Sequence, residues 1–180
     1  IHAPMGLTLS SDREPWVLES LKSALRGENP IPQAAPRADT VVSGKAEGLM
    51  TGGCLCLITD SIGTQEPIET EGKLLLIEDV DESPHRVDAM LTHLLNSGLA
   101  GKAAGFVIGE MTGTDERIDK GIGGIPWREI VTERLAPLGK PMVVNYPCGH
   151  MKTMLSLPLG VRVQLDADKG SLAYLENHCQ

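Results

Sequence analysis

The chain has 180 residues, 41% of them hydrophobic and 22% charged, which makes it a soluble globular chain of one domain, or one domain with a trailing arm. No apolar run approaches the ~20 residues that a membrane helix needs, which excludes a membrane partner. Sixteen basic against 24 acidic residues give a net charge of −8, and aromatics are only 3%, so neither the clustered cations nor the stacking surface of a nucleic-acid binder is present.

The N-terminus, Ile1-His2-Ala3-Pro4, has no basic stretch followed by an apolar one and no initiator Met, so Ile1 reads as a cut. Ser10, Ser11 and Asp12 offer caps for a helix beginning near Glu14, with Pro15 in its first turn and Val17, Leu21, Ala24 and Leu25 at helical spacing up to Gly27. Residues 28–38 carry three prolines and read as a linker, so residues 1–38 form a lead-in segment and the domain spans residues 39–180. Within it, Thr40 to Ser43 is a short strand and Lys73 to Glu78 a buried one. Ser83-Pro84 starts a helix with Val87, Met90, Leu91, Leu94 and Leu95 on one face, ending near Gly98. Ala103 to Ile108 is the next strand, Met111 to Gly124 a glycine-rich loop, and Pro126 opens a helix carrying Trp127, Ile130, Val131 and Leu135. Pro141 to Tyr146 is a further strand, and Val161–Asp166 with Ser171–Leu175 read as a hairpin about Asp168-Lys169-Gly170. The alternation predicts an α/β fold with a partly parallel sheet and an antiparallel hairpin at its end.

Two residues stand where chemistry gathers in such folds, at the carboxyl ends of strands. Glu78 closes the apolar run Leu74-Leu75-Leu76-Ile77, and a carboxylate there can orient a histidine; from position alone the plainer reading is one of four acids (with Asp79, Asp81 and Glu82) ahead of a helix N-terminus. His150 follows Tyr146-Pro147-Cys148-Gly149, where glycine permits a tight turn and a loop imidazole suits general-base work; from position alone a packed surface histidine fits as well. His85, His93 and His178 sit in weaker settings, at a helix start, inside a helix and near the chain end.

The four cysteines, Cys54, Cys56, Cys148 and Cys179, do not form the dense framework of a small secreted domain and read as reduced thiols of a cytoplasmic protein. Cys54, Cys56, Cys148 and His150 supply four ligands for tetrahedral zinc, at a tighter spacing than structural sites show, and buried small hydrophobes are the plainer reading. Cys148 with His150 is a conceivable thiol nucleophile that nothing marks as activated. Gly52-Gly53 could open a helix and present N–H groups to an anion, or make a plain turn. Gly121, Gly123 and Gly124 do not make a dinucleotide fingerprint.

The strings around Glu78 and His150 resemble the LD-carboxypeptidase family of Ser–Glu–His peptidases, in order along nearly the whole chain. His2-Ala3-Pro4-Met5 is similar to the family's His-Gly-Pro-Met, Gly52-Gly53-Cys54-Leu55 to its Gly-Gly-Asn-Leu, and Ile62-Gly63-Thr64 to its Gly-Thr helix exit. Gly72-Lys73-Leu74-Leu75-Leu76-Ile77-Glu78-Asp79-Val80 resembles its glutamate-bearing strand, and Pro84-His85-Arg86-Val87-Asp88 the helix after it. Gly105-Phe106-Val107-Ile108-Gly109, Pro147-Cys148-Gly149-His150 and Leu157-Pro158-Leu159-Gly160 resemble the next strand, the histidine loop and the strand beyond.

The resemblance implies a swivelling β/β/α C-terminal catalytic domain with an N-terminal lead-in arm. It implies His150 as general base, oriented and charge-supported by Glu78. The nucleophilic serine would come from a flavodoxin-like N-terminal domain, so this chain supplies no nucleophile and is expected to be inactive alone. The implied enzyme uses no cofactor and no metal, is cytoplasmic and homodimeric, and hydrolyses the bond to a terminal D-amino acid in a murein tetrapeptide during wall recycling. An immunity-type peptidase acting on a peptide–nucleotide antibiotic is the sibling reading; a zinc-binding or thiol module, or a domain that kept the fold and lost the chemistry, are the readings from other classes. Cys54 replaces the family's Asn, which removes a side-chain amide at that helix start.

Overall fold

A computed structural model describes residues 1–9, 14–121 and 123–179; the cap candidates Ser10, Ser11 and Asp12 lie outside them. Two helices precede the first strand, α1 (Gly6–Leu9) and α2 (Pro15–Leu25). Proline at the first position of α2 removes a donor that would be unsatisfied there. The face that α2 buries carries Trp16, Val17, Ser20 and Ala24, while Leu25 is exposed. Ser20 Oγ ties two loops to this helix, donating to the Pro30 carbonyl at 2.6 Å and accepting the Ser156 N–H at 2.9 Å.

Seven strands form one sheet: β1 (Asp39–Val42), β2 (Lys45–Cys54), β3 (Leu74–Val80), β4 (Gly105–Thr112), β5 (Met142–Val144), β6 (Arg162–Asp166) and β7 (Ser171–Tyr174). Their order is β1-β5-β4-β3-β2-β6-β7. The β2–β3, β3–β4 and β4–β5 pairs are parallel, and the pairs toward both edges are antiparallel. The parallel strands are joined by α3 (Leu55–Asp60), by α4 (Pro84–Asn96) with α5 (Leu99–Lys102), and by α6 (Trp127–Leu135). The apolar faces expected of α4 and α6 are the ones buried: Val87, Met90, Leu91 and Leu94 on the first, Trp127, Ile130, Val131 and Leu135 on the second.

The period-two alternation of β3 divides the core. Leu75 and Ile77 pack with α3–α6 on one face; Leu74 and Leu76 pack on the other with Trp16, Val17, Tyr146, Cys148, Leu155 and Leu157. The central strands are covered on both faces, which is why their sequences read as continuous apolar runs.

Strand β2 was not expected from the sequence. Its first half, Lys45–Leu49, pairs antiparallel with β6, and its second half, Met50–Cys54, pairs parallel with β3, so the sheet curls through one long strand. Its segment Gly48-Leu49-Met50-Thr51-Gly52-Gly53 lacks alternation because backbone approaches too closely for side chains. A Cβ on Gly48 would stand 2.4 Å from the Gly72 carbonyl oxygen, and one on Gly52 (φ +119°) 2.0 Å from that of Leu76.

Candidate active site

The parallel strands β2, β3 and β4 all end at one rim, where Glu78 lies in β3 and is almost wholly buried, 1% exposed. Strands β3 and β4 slip in register between Ile77 and Asp79, a bulge of the kind that re-aims side chains beside functional sites. The chain leaves β5 through Asn145, itself at φ +57°, and loops back over the rim as Tyr146–His150. This loop is held by backbone hydrogen bonds to β4: Tyr146 N–H donates to the Ile108 carbonyl at 2.9 Å, and Glu110 N–H to the Cys148 carbonyl at 3.0 Å. Gly109 is required beneath it, since a Cβ there would lie 2.5 Å from the Cys148 oxygen.

The loop delivers His150 to Glu78, with His150 Nδ1 2.8 Å from Glu78 Oε2. An ionised carboxylate only accepts, so opposite it a neutral ring carries its proton on Nδ1 and keeps the lone pair on Nε2. The imidazole side chain is 52% exposed, which leaves that lone pair open to a partner from outside the domain. Gly149 makes the turn possible with φ +116°; a Cβ there would stand 3.1 Å from Glu78 Oε2 and 3.0 Å from the Glu110 oxygen. Glu78 is therefore no exposed acid ahead of α4, whose N-cap is Ser83.

A further residue joins the pair. His2 is bridged through its backbone to Leu157, donating at 2.9 Å and accepting at 2.7 Å, and its Nε2 accepts the Gly149 N–H at 3.2 Å. Burial lowers its pKa from the usual 6.5; the Glu78 charge opposes that shift, and His150 adds to it. Neutral His2 is the form that can accept from Gly149. A histidine with a depressed folded-state pKa contributes stability that is complete above 6.5 and is lost as the pH falls through the lowered value. Urea midpoints at pH 7 and pH 5 are expected to fall further in the native chain than in His2→Gln, whose amide oxygen still accepts the Gly149 N–H; equal falls would refute this. The segment His2-Ala3-Pro4-Met5 carried the only sequence signal for this residue, and it named no role.

The four residues weighed for zinc do not assemble. Cys148 is fully buried in the core of the face opposite to the one Cys56 packs against, and His150 is engaged with Glu78. Burial and the Glu78 charge push the Cys148 thiol well up, away from a thiolate nucleophile. Cys54 and Cys56 meet Asp79 instead: the two Sγ atoms are 3.3 Å apart, and Cys54 Sγ is 3.3 Å from Asp79 Oδ1. Of the N–H groups after Gly52-Gly53, that of Cys56 is taken, since Asp79 Oδ2 accepts it at 2.9 Å. Of the remaining histidines, His85 and His93 are exposed on α4, and His178 lies 2.6 Å from the Ala24 carbonyl; none approaches the rim pair.

Residues 47–165 match the model of the LD-carboxypeptidase C-terminal domain. The chain is 35% identical over 97% of its length to a Synechocystis protein assigned as a carboxypeptidase, of which it covers 56%. It is 30% identical over 76% of its length to the microcin C7 self-immunity protein MccF of Escherichia coli, of which it covers 39%. Among solved structures, MccF in complex with glutamyl sulfamoyl guanosine shares the fold with a TM-score of 0.78 at 22% identity, over 99% of this chain and 61% of that one. A muramoyltetrapeptide carboxypeptidase from Oxalobacter formigenes gives 0.67 at 25% identity, over 88% of this chain and 54% of that one. The chain spans about half the length of two curated relatives that it matches along nearly all of its own length, 56% and 54%. By sequence and by fold, the chain belongs to the LD-carboxypeptidase family, whose C-terminal domain it matches.

Proposed function

We propose that this chain is the C-terminal, base-bearing part of a serine LD-carboxypeptidase that hydrolyses the bond to a terminal D-amino acid in murein tetrapeptides. The observation that carries the reading is the 2.8 Å contact between a buried Glu78 and a half-exposed His150. Glu78 holds the imidazole in the tautomer with Nε2 free. His150 Nε2 takes the proton of a serine hydroxyl delivered by the N-terminal domain as its oxygen attacks the scissile carbonyl. The imidazolium that forms is stabilised by the Glu78 carboxylate and returns the proton to the leaving amine of the D-residue. Water then repeats the cycle on the acyl-enzyme, with His150 again as base. Residues 39–180 form the catalytic domain in this reading, and the enzyme works on recycled wall peptides in the cytoplasm, as a homodimer. No described helix is long and apolar enough to cross a membrane.

The test joins the chain to a nucleophile-bearing N-terminal half and measures release of D-alanine from an L,D-tetrapeptide. Turnover by the joined protein and none by the chain alone is the expected result; turnover by the chain alone, or none by a folded joined protein, defeats the reading. A second reading rests on the likeness to the self-immunity protein MccF and gives the same pair a peptide–nucleotide antibiotic as substrate. Parallel assays with both substrates separate the two by their kcat/KM.

A further inference from the structure

The rim of the parallel sheet carries a second cluster of reactive side chains, which the proposed peptidase chemistry does not use. Cys54 ends β2, Cys56 lies in the first turn of α3, and Asp79 lies in β3; the register that sets Cys54 opposite Glu78 brings all three together. One donor atom from each lies within 4.8 Å of the other two. The residues before them enforce the convergence, since Gly52 and Gly53 at φ +119° and +137° let β2 cross close over Leu76 before turning into α3.

Asp79 supplies an independent observation. It is 1% exposed, and among the described residues no lysine, arginine or histidine pairs with it. Its partners are the Val80 N–H at 2.8 Å, the Cys56 N–H at 2.9 Å and the Cys54 thiol. A buried carboxylate ordinarily has a cation beside it, whether a side chain or a metal ion. Here two soft ligands stand where that cation would bind.

We propose that Cys54, Cys56 and Asp79 form a binding site for a thiophilic divalent cation of the zinc class. Metal–sulfur bonds of about 2.3 Å at a tetrahedral angle place two sulfurs roughly 3.8 Å apart. The observed 3.3 Å reaches that value with a small rotation of either side chain. Asp79 Oδ1, now facing the Cys54 thiol, becomes the third ligand while Oδ2 keeps the Cys56 N–H. Of the three ligands, Cys54 lines a surface groove of about 280 Å³ with Gly52, Leu57, Ser61 and Glu66, and this is the side from which a cation and a water as fourth ligand would approach. Loading breaks two S–H bonds, releases two protons to solvent and forms two metal–sulfur bonds, with no change of oxidation state. Burial and the hydrogen bonds to Cys56 and Asp79 push the Cys54 thiol pKa up, so the cation must displace its proton. This site is independent of the Glu78–His150 reading.

Cadmium is the probe, added to the full chain kept reduced with a phosphine. A thiolate-to-metal charge-transfer band is expected to saturate at one equivalent and to be competed away by zinc. Cys54→Ser and Cys56→Ser should each halve the band and weaken binding about tenfold or more. Asp79→Asn should weaken binding while leaving the band height unchanged at saturation, and Cys179→Ser, at the exposed chain end, should change nothing. The proposal is overturned by the absence of a band at one equivalent, by its persistence in the Cys54→Ser/Cys56→Ser double variant, or by its loss in Cys179→Ser. Because both cysteines are partly exposed and serine is close in size, these variants are expected to fold, and a native thermal transition in each verifies it.

Discussion

Replacing His150 by alanine is expected to lower kcat of the joined enzyme by about 10^6-fold, and replacing Glu78 by glutamine by about 10^4-fold, with KM little changed in both. The two losses differ for a structural reason. Without the imidazole no base is left at the pair, because His2 is spent on the Gly149 N–H and the Cys148 thiol is fully buried. In Glu78→Gln the ring remains, but the amide can donate to Nδ1 as readily as accept from it, which favours the tautomer with Nε2 protonated and useless as a base. The burial of Glu78 sharpens the effect, since water does not reach the carboxylate position to compensate. Single-turnover release of the D-residue measures both, and turnover within tenfold of the parent in either variant would remove the pair from the mechanism.

Gly149→Ala is expected to lower kcat about 100-fold without touching any proton-transfer group. The position has φ +116°, which L side chains rarely adopt, and the added methyl would meet Glu78 Cβ and Oε2 at 3.1 Å. Neither neighbour can retreat, because Glu78 is buried in β3 and the Glu110 oxygen belongs to β4. The loop must therefore lift, and a displacement of about 1 Å in a base is enough for a loss of that size. The diagnostic is the split: the His150 Nδ1 proton, seen downfield by NMR in the parent, should vanish while the thermal transition persists. Full activity with that proton signal intact would contradict the packing described.

What the sequence disclosed, and what it withheld, follows from what each residue contacts. Leu74–Ile77 was legible as a strand because both its faces are buried, and α4 and α6 because each buries a single stripe. The hairpin of β6 and β7 was marked by Asp168-Lys169-Gly170, and Gly170 does take the left-handed conformation, φ +58°. Strand β2 stayed hidden because its glycines answer to neighbouring backbone rather than to a pleated surface. The site was harder. Spacing alone left Glu78 and His150 each with a plain alternative, and the ordered family strings singled them out; their meeting depends on a bulge and a looped return that no periodicity encodes. His2 reaches Gly149 from the other end of the chain through a single backbone bridge to Leu157, too brief to leave a pattern. Asp79 was read as one more acid ahead of a helix, and it turns out to be the residue the thiols face.

Glu78 and Asp79 are consecutive residues of one strand, and the pleat sends their carboxylates to opposite sides of the sheet, one to an imidazole and the other to a pair of sulfurs. An insertion of one residue upstream in β3 would put Ile77 where Glu78 stands and Glu78 where Asp79 stands, and a deletion would put Asp79 and Val80 in those places, so either change strips one of the two locations of its acid. Neither location could then be repaired by a point change at the other. Over evolutionary time this stretch of backbone is therefore expected to tolerate substitutions of its apolar residues while resisting every change in its length.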